Sequence, residues 1–309
     1  MRSGFVAVVG RPNVGKSTLV NRMVGSKVSI VSPRPNTTRF QLRGVLHRPD
    51  AQVVLVDTPG IHRPRTALGE RLNEAAGASL AEVDAVVVVV DATAAIGPGD
   101  RTVLGRALDA AWDRGAGDGA GDGPALLVAV NKVDVAGPDD VLVRLATAAE
   151  SVDGLAAERA AGRPGRPPPV EYFPVSARTG DGVAALVEEV VARLPEGPPY
   201  YPEDMVTDTP EAQQVAELVR EQLLARAREE LPHAIACRVT EWEWPRIRCE
   251  ILVERDSQKA IVIGRGGEVL KAVGTAVRRQ LPPGAYLELH VRVERRWQQR
   301  DDALDRLGY

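Results

Sequence analysis

The sequence predicts an α/β protein of two domains, a mostly parallel, doubly wound sheet followed by a smaller α+β module. Three observations carry this. Short apolar runs rich in β-branched residues recur through the N-terminal two thirds of the chain, with helical patterns between them. The stretch 195–210, PEGPPYYPEDMVTDTP, is dense in proline and has neither a helical nor a strand period, and a different order of elements follows it. The length of 309 residues also suits two domains, at about 150 residues each.

In order, the expected strands of the first domain are Phe5 to Val9, Val53 to Val56, Ala85 to Val90, Ala125 to Val130 and Tyr172 to Val175. Runs that are apolar at every position suit strands buried on both faces, and the segments between carry helical spacing, as in Leu68 to Leu80 and Gly182 to Leu194. Two low-complexity insertions, GAGDGAGDG over 115–123 and GRPGRPPP over 162–169, are expected as mobile surface loops. The domain limits are then 1–195, a linker over 196–209, and 210–309. The second domain reads helix (Glu211 to Leu231), strand (Ala234 to Trp242), strand (Arg246 to Glu254), short helix (Gln258 to Ile263), helix (Glu268 to Leu281) and strand (Ala285 to Arg295). That α-β-β-α-α-β order predicts one sheet with helices on one face.

Composition excludes several classes. With 39 Lys plus Arg against 42 Asp plus Glu, the net charge of −3 rules out a uniformly basic nucleic-acid coat. Charge is instead segregated: residues 259–300 hold nine basic and three acidic side chains, a local +6. The two cysteines, Cys237 and Cys249, have no CxxC or His cluster beside them, so buried thiols are expected rather than a zinc site or a disulfide framework. No run reaches the roughly 18 apolar residues of a spanning helix, and the first ten positions lack a signal-peptide core, so a cytosolic protein is expected.

Chemistry concentrates at the ends of the predicted strands. Directly after the first comes Gly10-Arg11-Pro12-Asn13-Val14-Gly15-Lys16-Ser17-Thr18, the pattern GxxxxGK[ST] opening a helix. Its glycines let backbone N–H groups turn inward around a polyphosphate, Lys16 neutralises the β and γ phosphates, and the Ser17 hydroxyl ligates Mg²⁺. Asp57-Thr58-Pro59-Gly60 follows the second run, placing a carboxylate for the metal and a Gly60 N–H for the γ phosphate. Asn131-Lys132-Val133-Asp134 follows the fourth. A carboxylate at Asp134 accepts from the ring N–H and exocyclic amine of guanine, whereas adenine leaves it unpaired. Ser176-Ala177 supplies a backbone N–H to the guanine carbonyl.

These motifs, in this order, resemble the translation-factor class of GTPases, and the variants GRPNVGKST, Pro35-Asn36-Thr37-Thr38-Arg39 and DTPGI resemble its TrmE and Era branch. The resemblance implies that Thr38 closes over the metal as a switch residue, with Lys16, Thr38 and Gly60 serving the reaction and Ser17, Thr38 and Asp57 holding Mg²⁺. One position departs from the Ras pattern: Ile61 stands where a water-positioning glutamine would be, and an aliphatic side chain cannot orient water, so slow intrinsic hydrolysis is expected. Asn13 resembles the residue by which some relatives recruit K⁺.

In the second domain Ile263-Gly264-Arg265-Gly266-Gly267 places a GxxG turn between two helices and inside the basic segment, flanked by Lys259 and Lys271. A backbone stripped of side chains lets phosphates approach, and with this element order the module resembles a type II KH domain, which clamps about four nucleotides of single strand. The tandem resembles the Era family over essentially the whole chain, carried also by VERDSQK, IGRGG and VRVERRW. That resemblance implies GTP/GDP as ligand, binding near the 3′ end of 16S rRNA in assembly of the small ribosomal subunit, a monomer, and peripheral contact with the inner face of the membrane. A nucleotide-stabilised RNA chaperone with incidental turnover is the competing expectation. Trp242, Trp244 and Trp297 are expected in core or hairpin packing rather than stacked on bases.

Overall fold

The computed structural model describes residues 1–34, 36–61, 64, 66–115, 123–163, 166–226 and 231–309. Within the first part of the chain the elements run β1 (Arg2–Gly10), α1 (Lys16–Val24), β2 (Leu42–His47), β3 (Ala51–Asp57), α2 (Ala67–Ala78), β4 (Ala85–Asp91), α3 (Pro98–Gly115), β5 (Ala125–Asn131), α4 (Pro138–Ala160), β6 (Val170–Val175) and α5 (Val183–Arg193). Alternation along the strands sorts them into layers. Ala7 and Val9 of β1, with Val86, Val88 and Val90 of β4, enter the core under α3 and α4, where Leu104, Leu108, Trp112 and Val152 meet them. Val6, Val8, Val87 and Val89 point the other way, onto Leu19, Val20 and Met23 of α1 and Leu186 and Val190 of α5. An unbroken apolar run is what a strand covered on both faces requires.

The strand order is β2-β3-β1-β4-β5-β6, with every pair parallel except β2 against β3. β2 has no signature in the sequence. As an edge strand it buries Leu42 and Val45 but carries Arg43, Gly44 and His47, so its alternation is too weak to stand out. The parallel strands end together, and their carboxyl edge is where such sheets bind ligands.

The proline-rich stretch is not free chain. Glu196 bridges to Arg2, Ser3 Oγ donates to Pro198 O at 2.7 Å, and the Gln52 amide accepts from Tyr200 N and Tyr201 N (2.6 and 3.0 Å) while donating to Tyr201 O at 2.7 Å. Val45 N donates to Val206 O at 2.9 Å. By contacts the first unit runs to Asp208, and a second comprises Ile30–Thr37, Pro64–Arg71 and Thr209–Tyr309. Residues 116–122 and 164–165 of the two insertions lie outside the described residues.

The second unit contains α6 (Glu211–Arg226), α7 (Leu231–Ala234), β7 (Ala236–Glu243), β8 (Arg246–Val253), α8 (Asp256–Ile263), α9 (Glu268–Arg278), β9 (Tyr286–Val293) and α10 (Asp301–Leu307). Its sheet is β7-β8-β9, antiparallel then parallel. Val219 and Leu223 of α6, Val262 of α8, and Val273 and Val277 of α9 cover one face, over Cys237, Ile247, Cys249 and Ile251. Both cysteines are buried and unbridged, and burial pushes the Cys237 thiol well above its ordinary range. The other face is laced with ion pairs, Arg238–Glu250 and Arg248–Glu288 among them. Of the tryptophans, Trp297 is fully buried and its Nε1–H donates to Ala234 O at 2.9 Å, whereas Trp242 and Trp244 are exposed, against the expectation of packing. Both lie at the turn end of the β7–β8 hairpin, away from the middle of the sheet that the helices cover.

Candidate functional site

The phosphate loop is built by close backbone packing between β1 and α1. A Cβ on Gly10 would stand 2.6 Å from Val89 O, and one on Gly15, whose φ is +101°, would collide with Asn131 Nδ2. Only glycine fits either position. Lys16 is buried, its Nζ donating to Gly10 O (3.2 Å) and Arg11 O (3.0 Å); burial lowers its pKa to about 8, and the Asp57 charge partly restores it. The ammonium is thus held by carbonyls across the mouth of the loop, where a triphosphate would supply stronger acceptors. Thr18, in the first turn of α1, is half-buried, and Val14 is buried, its carbonyl accepting from Asn131 Nδ2 at 2.8 Å.

The three expected metal ligands converge. Ser17 Oγ lies 2.8 Å from Thr38 Oγ1, which donates to Asp57 Oδ2 at 3.4 Å. Asp57 is fully buried and its Oδ1 has no hydrogen-bond partner. Burial raises the carboxyl pKa, opposed by the Lys16 charge. Two hydroxyls and an orphaned buried carboxylate oxygen fit a hard divalent cation such as Mg²⁺. Gly60 packs on the loop, where a Cβ would stand 2.8 Å from Pro12 N. Ile61 turns into the core with Ala7 and Val9, 3% exposed, so its side chain does not face the phosphate site at all.

The base-reading residues interlock with the phosphate loop. Asn131 ties three segments together, donating to Val14 O and accepting the Ala177 N–H through Oδ1 at 2.9 Å. Lys132, in the left-handed region at φ 74°, donates to Asn13 O at 2.9 Å and to Asp91 Oδ2 at 2.5 Å. Asp134 Oδ1 accepts the Ser176 hydroxyl at 2.6 Å and Oδ2 lies 2.5 Å from Arg178 Nη2; the Ser176 bond holds its carboxyl below the usual range. It is therefore ionised at neutral pH, as an acceptor for two guanine donors must be. The Ser176 N–H donates to Asp181 O at 2.8 Å and the Ala177 N–H to Asn131 Oδ1, so both backbone donors are engaged within the site. Asp91 and Arg178 carry no signal in the sequence. Asp91 pairs in register with Asn131 on the neighbouring strand, and no local pattern marks Asp91 or Arg178.

The GxxG turn of the second unit joins α8 to α9. A Cβ on Gly264 would overlap Val269, while Gly266 (φ 58°) and Gly267 (φ 81°) have open space where side chains would be. The turn is thus tight on its inner side and bare on its outer side, with Arg265 exposed at the tip. Lys259 on α8, Lys271 on α9 and Arg265 have no carboxylate within ion-pair range among the described residues. Ile263 is half-buried beside the turn, and Ile261, which no motif marks, is 58% exposed on α8. A bare backbone turn beside an exposed aliphatic face suits a phosphate and an unstacked base.

Comparison with known proteins covers both units. A family model described as 50S ribosome-binding GTPase matches residues 5–113, and one described as KH domain matches residues 230–298. The chain is 44% identical over 322 residues to GTPase Era of Mycobacterium tuberculosis strain H37Rv, covering 99% of this chain and 98% of that protein. It is 43% identical over 320 residues to GTPase Era of Mycobacterium avium strain 104, covering 100% and 99%. A crystal structure of Era with MgGDPNP and nucleotides 1506–1542 of 16S ribosomal RNA superimposes with a TM-score of 0.84 at 35% identity, covering 100% of this chain and 99% of that one. A variant of Aquifex aeolicus Era bound to GDP·AlF4⁻ gives 0.81 at 34%, with the same coverage. With a guanine-type phosphate-loop domain, a KH module and full-length similarity at this level, the chain belongs to the Era family of GTPases.

Proposed function

We propose that this chain binds GTP and GDP with Mg²⁺, hydrolyses GTP to GDP and phosphate, and couples its nucleotide state to binding of the 3′ region of 16S rRNA in small-subunit assembly and rRNA processing. The observation that carries the nucleotide half is the ionised Asp134, held by Ser176 and joined through Asn131 to the phosphate loop. The related Era, crystallised with MgGDPNP and nucleotides 1506–1542 of 16S ribosomal RNA, supports the RNA half.

In the reaction Lys16 draws off charge developing on the β–γ bridge and γ oxygens, and the Gly60 N–H orients the γ phosphoryl group. Ser17, Thr38 and Asp57 would hold Mg²⁺, which when bound neutralises the phosphate oxygens. Ile61 does not orient the attacking water, because its side chain is in the core. Hydrolysis is therefore slow until a K⁺ ion beside Asn13 or a bound partner completes the site. Buried Ile61 also favours the second reading, an RNA chaperone in which nucleotide is structural. A cytoplasmic monomer is proposed, with its basic segment touching anionic lipid at the membrane's inner face, an electrostatic contact that needs no spanning helix.

The test is Asp134→Asn. GTP affinity by fluorescence titration is expected to fall more than tenfold, about 1.4 kcal/mol or above, with the fold intact by circular dichroism. Unchanged affinity rejects the guanine site. Steady-state turnover with and without the 16S fragment separates the two readings, since only a coupled GTPase changes rate with RNA.

A further inference from the structure

We propose that the crevice where β8 and β9 end is a second phosphate-binding site, holding the RNA strand beyond the GxxG clamp through Arg255, Arg295 and Arg296. The inference rests on the reading of this unit as an RNA-binding module and adds a site to it. A cavity of about 430 Å³ opens there, lined by Glu254, Arg255, Asp256, Arg295 and Arg296. β8 and β9 are parallel and in register to Val253 and Val293, so both chains leave the sheet at the same edge and their following residues face one another.

Both sides of the crevice are anchored from beneath. On the β8 side, Gln258 Oε1 accepts the N–H groups of Glu254 (2.9 Å) and Arg255 (3.1 Å), which fixes the turn into α8. On the β9 side, Glu294 N donates to Val253 O at 2.8 Å, and the Glu294 carboxylate is buried against Arg300 (3.5 Å) and Arg306. Trp297 is fully buried. Between these two anchors Arg295 and Arg296 are left exposed, with Arg296 in the left-handed region at φ 52°. A non-glycine residue holds that conformation only where its surroundings over-determine it, and such strain collects at ligand sites.

None of the three arginines has an ion pair among the described residues, although the neighbouring Arg300 and Arg306 are both paired. Three guanidiniums against Glu254 and Asp256 leave one net positive charge, which matches the single negative charge of a phosphodiester. Guanidinium forks also suit phosphate oxygens in geometry. The crevice adjoins the N-terminal end of α8 and the GxxG turn its C-terminal end. That helix has eight residues, about 12 Å at 1.5 Å per residue, so a strand filling the clamp reaches the crevice only with nucleotides beyond the about four that the clamp holds.

The experiment uses the full chain and two single-stranded fragments of the 16S 3′ region, one about four nucleotides long and one about twice that. Anisotropy titration across a salt series is expected to show the longer strand binding about tenfold tighter. The triple variant R255Q/R295Q/R296Q should lose that gain and about 0.7 in salt slope per lost phosphate contact, while binding the short strand as the unaltered protein does. Lysine at the same three positions should retain most of the gain, since it keeps the charge and leaves the buried anchors untouched. If the glutamine variant keeps the length-dependent gain, the crevice is not an RNA site. If it loses binding to phosphatidylserine vesicles instead, with RNA binding unchanged, the arginines serve a membrane and the proposal is overturned. If even the unaltered protein fails to bind the short strand, the clamp reading fails first.

Discussion

Asn13 shows how one residue can be asked to do two things. Its backbone sits at φ 66°, uncommon outside glycine but tolerated by asparagine, and its carbonyl accepts the Lys132 ammonium at 2.9 Å. That bond gives Asn13 a purely architectural use, linking the phosphate loop to the base-reading loop. The proposed K⁺ role would be an addition to it, in which the ion would supply fixed positive charge that the buried Ile61 cannot. The expected outcome is faster GTP turnover in KCl than in NaCl at equal ionic strength, with GTP affinity little changed. Equal rates in the two salts confine Asn13 to shaping the loop and leave the GTPase reading intact.

Among the elements, the α8–turn–α9 unit is the one whose function depends on what it lacks. Gly266 has no neighbour within 4 Å of where a Cβ would stand, so a side chain there meets no protein atom and projects toward whatever the turn binds. Aspartate is among the few residues that adopt a left-handed φ at modest cost, which makes Arg265→Asp with Gly266→Asp a test of repulsion rather than of folding. RNA affinity is expected to fall at least tenfold, with GTP affinity unchanged on the same preparation. RNA binding that survives would make the turn structural, and loss of both affinities would point to an unfolded chain. The partner element α6 is held differently. Burial acts to lower the pKa of its buried Arg220, but the charge of the paired Glu217 and the hydrogen bond it accepts together raise it; removing either partner alone would leave a buried charge unpaired.

At the scale of the whole molecule, the two units are not two consecutive stretches of chain. Segments 30–37 and 64–71 belong by contacts to the unit that otherwise begins at Thr209. Val31 N donates to Glu221 Oε1 at 3.0 Å, Arg220 Nη2 donates to Thr37 O, and Arg71 pairs with Asp301 (2.9 Å) and Asp305 (2.6 Å). Thr37 is joined by one peptide bond to Thr38, whose Oγ1 lies 2.8 Å from Ser17 Oγ. A fragment ending at residue 208 therefore loses the acceptor of the Val31 amide. Its hydrogen exchange at Val31 is expected to rise about tenfold or more over the full chain, since the opening free energy of that bond is removed. Equal exchange in fragment and full chain would mean that the segment is held from within the first unit alone.

The sequence made much of this readable because several features are local. Glycines needed for close approach, as at Gly10 and Gly15, and the motifs that end strands stand in fixed spacing to the runs that bury those strands. The doubly wound class, the phosphate loop, Asp57, Asp134 and the GxxG turn follow from such short-range patterns. What depended on the tertiary structure is long-range pairing. The β2 edge strand is specified by its partner β3 rather than by its own alternation, and Asp91 acquires a role only because β4 lies beside β5. Residues 196–208 look like linker by composition, yet Gln52, Ser3 and Val45 capture them with hydrogen bonds across 148 to 195 positions of sequence. Trp242, Trp244 and Trp297 carry the same expectation of packing, yet only Trp297 is buried, where Ala234 O, 63 residues away, takes its N–H. A side chain's own neighbours in sequence set its backbone, but only the folded chain decides whether it is left facing water, a ligand or the core.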